Sequence, residues 1–241
     1  MMRLPTIQGL IRRRILANFR VDPEAFQRLI PARFTPKLHN GFAIAGICLI
    51  RLEEIRPKAM PAFTGLSSEN AAHRFAVQWN EKGITKEGVF ISRRDTNSRL
   101  NQMLGGRVFP GEHHHAEFNV ADEGPEIRLS MRSADDEVTL NLEGRTVAGL
   151  PSNSIFKSLE DSSNFFEGGS IGYSVTAEND RLDGLKLETN DWHVEPLEIQ
   201  SLTSSFFDDK ANFPEGSAQF DHALIMRNIT HEWRSIDDLY V

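Results

Sequence analysis

Between Ile127 and Leu142 the chain changes character at nearly every residue. Ile127, Leu129 and Met131 alternate with Arg128, Ser130 and Arg132; after a turn at Ser133 to Asp136, Val138, Leu140 and Leu142 alternate with Thr139, Asn141 and Glu143. A period of two belongs to a strand, so this is a hairpin with one face on a core. The pattern recurs. From His73 to Trp79, Phe75, Val77 and Trp79 share one face while Arg74, Gln78 and Asn80 share the other, and Glu81-Lys82-Gly83 turns the chain towards a strand at Gly88 to Arg93. Phe42 to Leu52 is apolar almost without break, as expected of a strand covered on both faces. Further strands are expected at ILANFRV near the N-terminus, Ile171 to Thr176, Leu182 to Glu188, His193 to Leu202 and Phe220 to Ile229. Long crossover helices never alternate regularly with these strands, which excludes a doubly wound parallel sheet and predicts a mainly β, β-rich α+β fold.

Three helices are expected. Asp22-Pro23 supplies an N-cap and a proline at the first helical position, Phe26, Leu29 and Ile30 the apolar side, and Pro31 the stop. Leu100, Met103 and Leu104 share a face after caps at Asp95 to Asn97, with Gly105-Gly106 as the end. Asn153 to Phe166 carries Ile155, Phe156, Leu159 and Phe166 on one side, with Ser152 or Asn153 as cap and Gly168-Gly169 closing it. Pro57, Pro61 and Gly65 mark Arg56 to Glu69 as a loop.

The 241 residues read as a single domain, 1–241, without repeat or linker, and 39% hydrophobic with 25% charged residues is ordinary globular composition. The formal net charge of -7 argues against a nucleic-acid partner. No segment approaches the roughly 18 to 20 apolar residues of a membrane span. Arg12-Arg13-Arg14 is followed by too short an apolar run for a signal peptide. The single cysteine, Cys48, lies in FAIAGICLI as a small buried hydrophobe and suits a reducing compartment. The expected location is cytoplasmic. Phosphate loops, dinucleotide fingerprints, paired-cysteine metal sites and Gly-x-Ser-x-Gly are all absent, and no cofactor is expected.

The chemistry concentrates in Gly88 to Val120, where Arg93, Arg94, Arg99 and Arg107 stand close to His113-His114-His115. Alternation sets His114, Ala116, Phe118 and Val120 against His113, His115, Glu117 and Asn119. Three readings of the histidines stay open: a solvated strand end, proton-transfer or hydrogen-bonding groups in a cavity, and a metal site. The arginines fit either a solvated surface or an anion site, since a guanidinium grips a carboxylate through two parallel hydrogen bonds. Glu69 and Arg74 could be an ion pair, or an acid–base group and a carboxylate anchor. His222, Glu232 and Trp233 are expected to be structural or exposed.

Three pieces together resemble the acetoacetate decarboxylase-like superfamily, most closely its branch known as a domain of unknown function, which lacks the Schiff-base lysine. They are NFRVDPEAFQRLIPARFTPKLHNGFAIAGI, then ENAAHRFAV with Glu69 and Arg74 in the spacing Glu-x-x-x-x-Arg, then GVFISRRDTNSRLNQMLGGRVFP. The resemblance covers residues 14 to 120 and is weaker beyond, where WHVEPLEIQSL is similar to a later strand. It implies a closed, mostly antiparallel barrel or double-cone sheet with few helices and an internal cavity. Decarboxylating members carry two lysines after a proline; here Pro110 is followed by Gly111-Glu112-His113-His114-His115, so the resemblance implies that imine chemistry is not available from this loop.

The resulting expectation is an internal pocket for a small carboxylate-bearing metabolite. Glu69, His113 and His114 are the candidate catalytic groups, and Arg74, Arg93, Arg94, His115 and Glu117 the candidate substrate-binding groups. No metal is assigned. The polar face of the His113 to Val120 strand, with His113, His115 and Glu117, is expected to line the pocket. Any enzymatic reaction would be lyase-like acid–base chemistry. The alternatives are a non-catalytic carrier or sensor and a scaffold with a filled barrel; self-association into a homo-oligomer is left open, and no membrane partner is expected.

Overall fold

The computed structural model describes residues 6–104, 111–178, 180–189 and 191–240. The strands run in chain order as β1 (Ile7–Val21), β2 (Thr35–Pro36), β3 (Leu38–His39), β4 (Phe42–Pro57), β5 (Leu66–Glu81), β6 (Ile84–Thr96), β7 (His114–Glu123), β8 (Glu126–Ser133), β9 (Thr139–Thr146), β10 (Ile171–Val175), β11 (Arg181–Thr189), β12 (Glu195–Ser204) and β13 (Ala218–Tyr240). Among the described residues four short α-helices accompany them: α1 (Pro23–Gln27), α2 (Arg99–Leu104), α3 (Leu159–Glu167) and α4 (Ser205–Asp208). No helix among the described residues is long and apolar enough to cross a membrane.

All the strands belong to one sheet, and that sheet closes on itself twice. The consecutive neighbours β13, β1, β4, β5 and β6 form a shared wall. One closure runs from β6 through β10 and β11 back to β13, making a ring of seven strands. The other runs from β6 through β7, β8, β9 and β12 to β13. Pairing is antiparallel except where β6 meets β10 and β7. Closure removes the exposed edges that a sheet of this width would otherwise present.

Alternation along the shared wall fills two cores. Ile15, Ala17, Ala45, Ile47, Phe75 and Val77 enter the larger one, with Leu129, Leu140 and Phe207. Leu16, Ile44, Cys48, Ala72, Ala76 and Leu224 enter the other, with Phe156 and Phe166. Each fully buried Phe or Leu contributes roughly 1.5–3 kcal/mol. Asp22 caps α1 as expected, its carboxylate accepting from the backbone N–H groups of Glu24 and Ala25 at 3.0 Å. Phe26 anchors that helix by packing edge-on to Phe75 at 5.2 Å.

Several boundaries differ from expectation for local reasons. The expected loop at Arg56 to Glu69 contracts, because β4 runs to Pro57 and β5 begins at Leu66. The helix expected over Asn153 to Phe166 is shorter. Ser158 caps it by accepting from the N–H of Asp161 at 3.0 Å, while Ser154 and Ile155 are committed to Asp221. β13 passes through His231 to Tyr240, because β11 supplies partners along that extension. The short α4, not anticipated, places Phe207 face to face with Phe19 at 3.8 Å. The proposed cap Gly105-Gly106, Arg107 and Pro110 lie outside the described residues.

Candidate functional site

Every strand of the seven-strand ring contributes to one cavity of about 130 Å³. That is in the range of an engineered cavity that accepts benzene. Its apolar walls include Ile50 and Leu52 of β4, Ile91 of β6, Leu185 and Leu187 of β11, and Trp233 of β13. Its polar groups are Arg14 of β1, Arg74 of β5, Arg94 and Asp95 of β6, and His113 just before β7, with Cys48 among them.

The three cavity arginines share an unusual property: each is held by a neutral partner. Arg14 Nε donates to Cys48 Sγ at 3.2 Å. Arg74 Nη2 donates to Asn18 Oδ1, and its guanidinium carbon lies 4.9 Å from the centre of the Phe166 ring. Arg94 donates from Nε and Nη2 to Ser174 Oγ at 3.1 and 2.9 Å. None of the three forms a salt bridge to a described carboxylate. Burial pushes the pKa of both Arg74 and Arg94 down to about 10, although Cys48, and for Arg94 also the Asp183 carboxylate, act against the shift. Both remain charged at neutral pH, at an electrostatic cost that an anion would relieve.

The carboxylates nearby are engaged elsewhere. Asp95 is bound by Arg93 through Nε and Nη2 at 2.9–3.2 Å. Asp183 accepts from the Gly111 N–H at 3.0 Å and lies 3.4 Å from Arg181. Gly111 has a φ of +84°, and a Cβ there would sit 2.5 Å from the side chain of Ser174. Glycine therefore lets the loop press on the residue that holds Arg94. The loop is fixed further by the Glu112 N–H donating to Val175 O at 3.0 Å.

His113 lies 3.1 Å from Gly111 O through Nδ1. A carbonyl can only accept, so Nδ1 carries the proton and Nε2 keeps its lone pair. Burial, reinforced by the Arg94 charge, pushes the His113 pKa down to about 3. The ring is neutral until an anion offsets that field.

The other candidates divide in an informative way. Glu69 and Arg74 are five residues apart on β5 and so lie on opposite faces. They are neither an ion pair nor joint members of the cavity. Glu69 instead pairs with Arg13 at 2.6 Å, beside Asp122, and burial raises its pKa against the pull of Arg13. Arg93 also points away from the cavity. It binds Asp95, Asp135 and Glu137, the last two at 2.8 and 2.5 Å. His114 Nδ1 joins the same acidic group, 3.1 Å from Asp135.

The expected inward face of β7 is reversed. Ala116 is wholly buried and Phe118 and Val120 pack on the larger core, whereas Glu117 is exposed. His115 is half-buried and borders none of the cavities described here. The apolar side of the strand wins the interior because burying Phe118 and Val120 is favourable and burying an unpaired Glu117 is not. His113 reaches the cavity from the loop, not from the strand's alternation. Among the described residues no three His, Cys, Asp or Glu side chains converge in a way that could hold a metal ion.

Sequence reasoning missed Arg14, hidden in a basic triplet, and the polar contacts of Cys48. A faint signal existed: in a strand the neighbours Arg13 and Arg14 must take opposite faces, so one of them must enter an interior.

The family model DUF2071, described as an uncharacterized conserved protein, matches residues 10–227. No curated protein matches in sequence. Solved structures match over nearly the whole chain at low identity. An acetoacetate decarboxylase from Legionella pneumophila is 12% identical with a TM-score of 0.58, covering 98% of this chain and 88% of its own. An acetoacetate decarboxylase-like enzyme from Sphingomonas wittichii RW1 is 12% identical with a TM-score of 0.58, over 98% and 93%. The enduracididine biosynthesis enzyme MppR, complexed with pyruvate, is 10% identical with a TM-score of 0.57, over 99% and 91%. The fold is therefore acetoacetate decarboxylase-like.

Proposed function

The chain belongs to the DUF2071 family, and from that premise we propose that its seven-strand ring binds a small carboxylate-bearing metabolite without forming an imine. The carrying observation is the convergence of Arg14, Arg74 and Arg94 on one cavity with only Cys48, Asn18 and Ser174 as side-chain hydrogen-bond partners among the described residues. A carboxylate would supply the missing negative charge through paired hydrogen bonds. The aliphatic walls would take a short carbon chain. Pyruvate bound to the similarly folded MppR makes a 2-oxo acid a sensible first probe.

The lining residues support a route without a Schiff base. They include no lysine, and none of the residues outside the described set is a lysine. Lys37 borders a separate small void beside Arg74 and is held by Glu87 at 2.9 Å and Phe165 O at 3.1 Å. His113 Nε2 is the base available for moving a proton to or from a bound acid, and the acid's own charge would raise the basicity of that ring.

A second reading, a non-catalytic carrier or sensor, draws on two observations. Glu69 and His114 lie off the cavity, and His113 is a weak base until the site is filled. Titration calorimetry with pyruvate tests the binding claim, and replacement of Arg94 should abolish the heat. Proton NMR of pyruvate in deuterium oxide separates the readings. Methyl exchange catalysed by the protein and lost in His113→Gln favours proton transfer; binding without exchange favours the carrier. Borohydride treatment with acetoacetate should leave the intact mass unchanged, and a stoichiometric reduced adduct on any lysine would overturn the imine-free route.

A further inference from the structure

One rung of the shared wall carries a polar relay that ends on the cavity. Register places His222 of β13 opposite Asn18 of β1, Asn18 opposite Gly46 of β4, and Gly46 opposite Arg74 of β5. The Arg74 guanidinium spans the glycine to reach Asn18 Oδ1. A Cβ on Gly46 would sit 3.3 Å from both Arg74 Nη2 and Asn18 Oδ1, and 2.4 Å from Ala17 O. Glycine keeps that crossing open.

Behind Asn18 the hydrogen bonds have one consistent direction. Asp221 Oδ2 lies 2.7 Å from His222 Nδ1, so that nitrogen donates to the carboxylate. His222 Nε2 is then an acceptor for Ser162 Oγ at 2.8 Å and Asn18 Nδ2 at 3.2 Å. This fixes the Asn18 amide with its oxygen towards Arg74. Asn18, His222 and Ser162 are wholly buried and Asp221 nearly so. The distances resemble those of a serine–histidine–aspartate hydrolase, but a fully buried Ser162 has no route to a substrate. The same helix, α3, lays Ser162 on His222 and Phe166 on Arg74.

We propose that Asn18, oriented by His222, Asp221 and Ser162, is a positioning residue that aims Arg74 into the cavity while leaving its charge unneutralised. An aspartate at position 18 would satisfy the guanidinium equally well and would cancel its charge, but it could not donate to His222 Nε2 as the amide does. The relay keeps the Asp221 carboxylate two side chains away, where it orients Arg74 without pairing with it. The inference rests on the reading of the cavity as a carboxylate site.

The test compares pyruvate with its neutral isostere pyruvamide by titration calorimetry. Asn18→Asp changes the charge with almost no change in shape. It should raise the pyruvate Kd by about 30-fold and remove most of the preference over pyruvamide. A merely structural role would leave the preference intact, whatever the change in stability. Ser162→Ala deletes one donor to His222 and keeps the cavity; it should raise the pyruvate Kd about threefold. If wild type binds pyruvate and either variant matches it, the positioning role is overturned alone. If wild type binds no pyruvate, the reading of the cavity falls and the positioning role with it.

Discussion

Arg93 and Arg94 are neighbours in the chain and opposites in the structure. Arg93 is surrounded by Asp95, Asp135 and Glu137. Burial opposes its charge, but the hydrogen bonds to Asp95 and Asp135 more than compensate and hold its pKa up. Among the described residues Arg94 has only the hydroxyl of Ser174 as a hydrogen-bond partner, and burial pulls its pKa down to about 10 against the pull of Cys48 and Asp183. Arg13 and Arg14 repeat the division: Arg13 is paired with Glu69 at 2.6 Å, and Arg14 is held by the thiol of Cys48. One face of the wall uses arginine as a strut, and the other presents it as a receptor. Compensation separates the two, since all four lie in the same strongly β-structured wall.

The largest expected effect comes from breaking the strut. Arg93→Ala leaves three carboxylates, one of them wholly buried, facing one another without the guanidinium that bridges them. Removing one partner of a buried ionic group costs about 3–5 kcal/mol. Urea unfolding should show that loss. If Arg93→Ala is neutral and Arg94 carries the stability instead, the assignment of roles is inverted.

Arg94→Met sharpens the other half. It removes a desolvated charge that forms no salt bridge to a described carboxylate and keeps similar bulk, so the unfolding midpoint should hold or rise. Pyruvate affinity should fall about 100-fold, close to 3 kcal/mol, as charge-assisted hydrogen bonds disappear. A parallel loss of stability and binding would mean that Arg94 is a strut as well.

Next in size is a pH effect on the strut side. His73 is wholly buried under Phe206, ring centres 4.1 Å apart, and neither ring nitrogen has a hydrogen-bond partner among the described residues. Burial, with the Arg93 charge behind it, pushes its pKa down to about 3. The unfolded chain binds a proton near pH 6.5, so this contribution is intact above that pH and is lost as pH falls from 6.5 towards 3. By pH 5 the loss reaches about 2 kcal/mol. His73→Phe should flatten that part of the acid limb of the stability profile, and an unchanged limb would place the sensitivity in another histidine.

The division between the two faces was only partly legible in the sequence. Alternation gave the strands at His73 to Trp79 and Ile127 to Leu142 because each has one clearly apolar face. The acetoacetate decarboxylase-like segments pointed to the fold, since an ordered series of strand, short helix and strand survives where single motifs do not. Arg93 and Arg94 were not separable. The β5–β6 register shifts beside Ser92, setting Arg93 opposite His73 and Ile91 opposite Arg74, so Ile91 and Arg94 both reach the cavity although they are an odd three positions apart. An inserted residue of that kind resets the alternation locally. Asn18, His222 and Asp221 were out of reach for a different reason: the register between β1 and β13 joins residues about two hundred positions apart.

The smallest expected effect tests the face of β7 that the sequence placed inside. Glu117 has an exposed side chain on the strand whose other side carries Ala116 and Phe118. Its register partner across the hairpin is Arg132, which is already bonded to Asp136 at 2.8 Å. Glu117→Ala therefore removes a solvated charge, leaves no buried partner orphaned and opens no cavity. Surface substitutions of this kind lie within the noise of most stability measurements. The melting temperature and the pyruvate affinity should both be unchanged. A clear drop in affinity would return Glu117 to the binding site and would require β7 to turn its polar face inward in solution, expelling Phe118 and Val120 from the core. Because that inversion would also expose apolar surface, the same variant in urea would show an altered slope of unfolding free energy against denaturant, which a simple surface change would not.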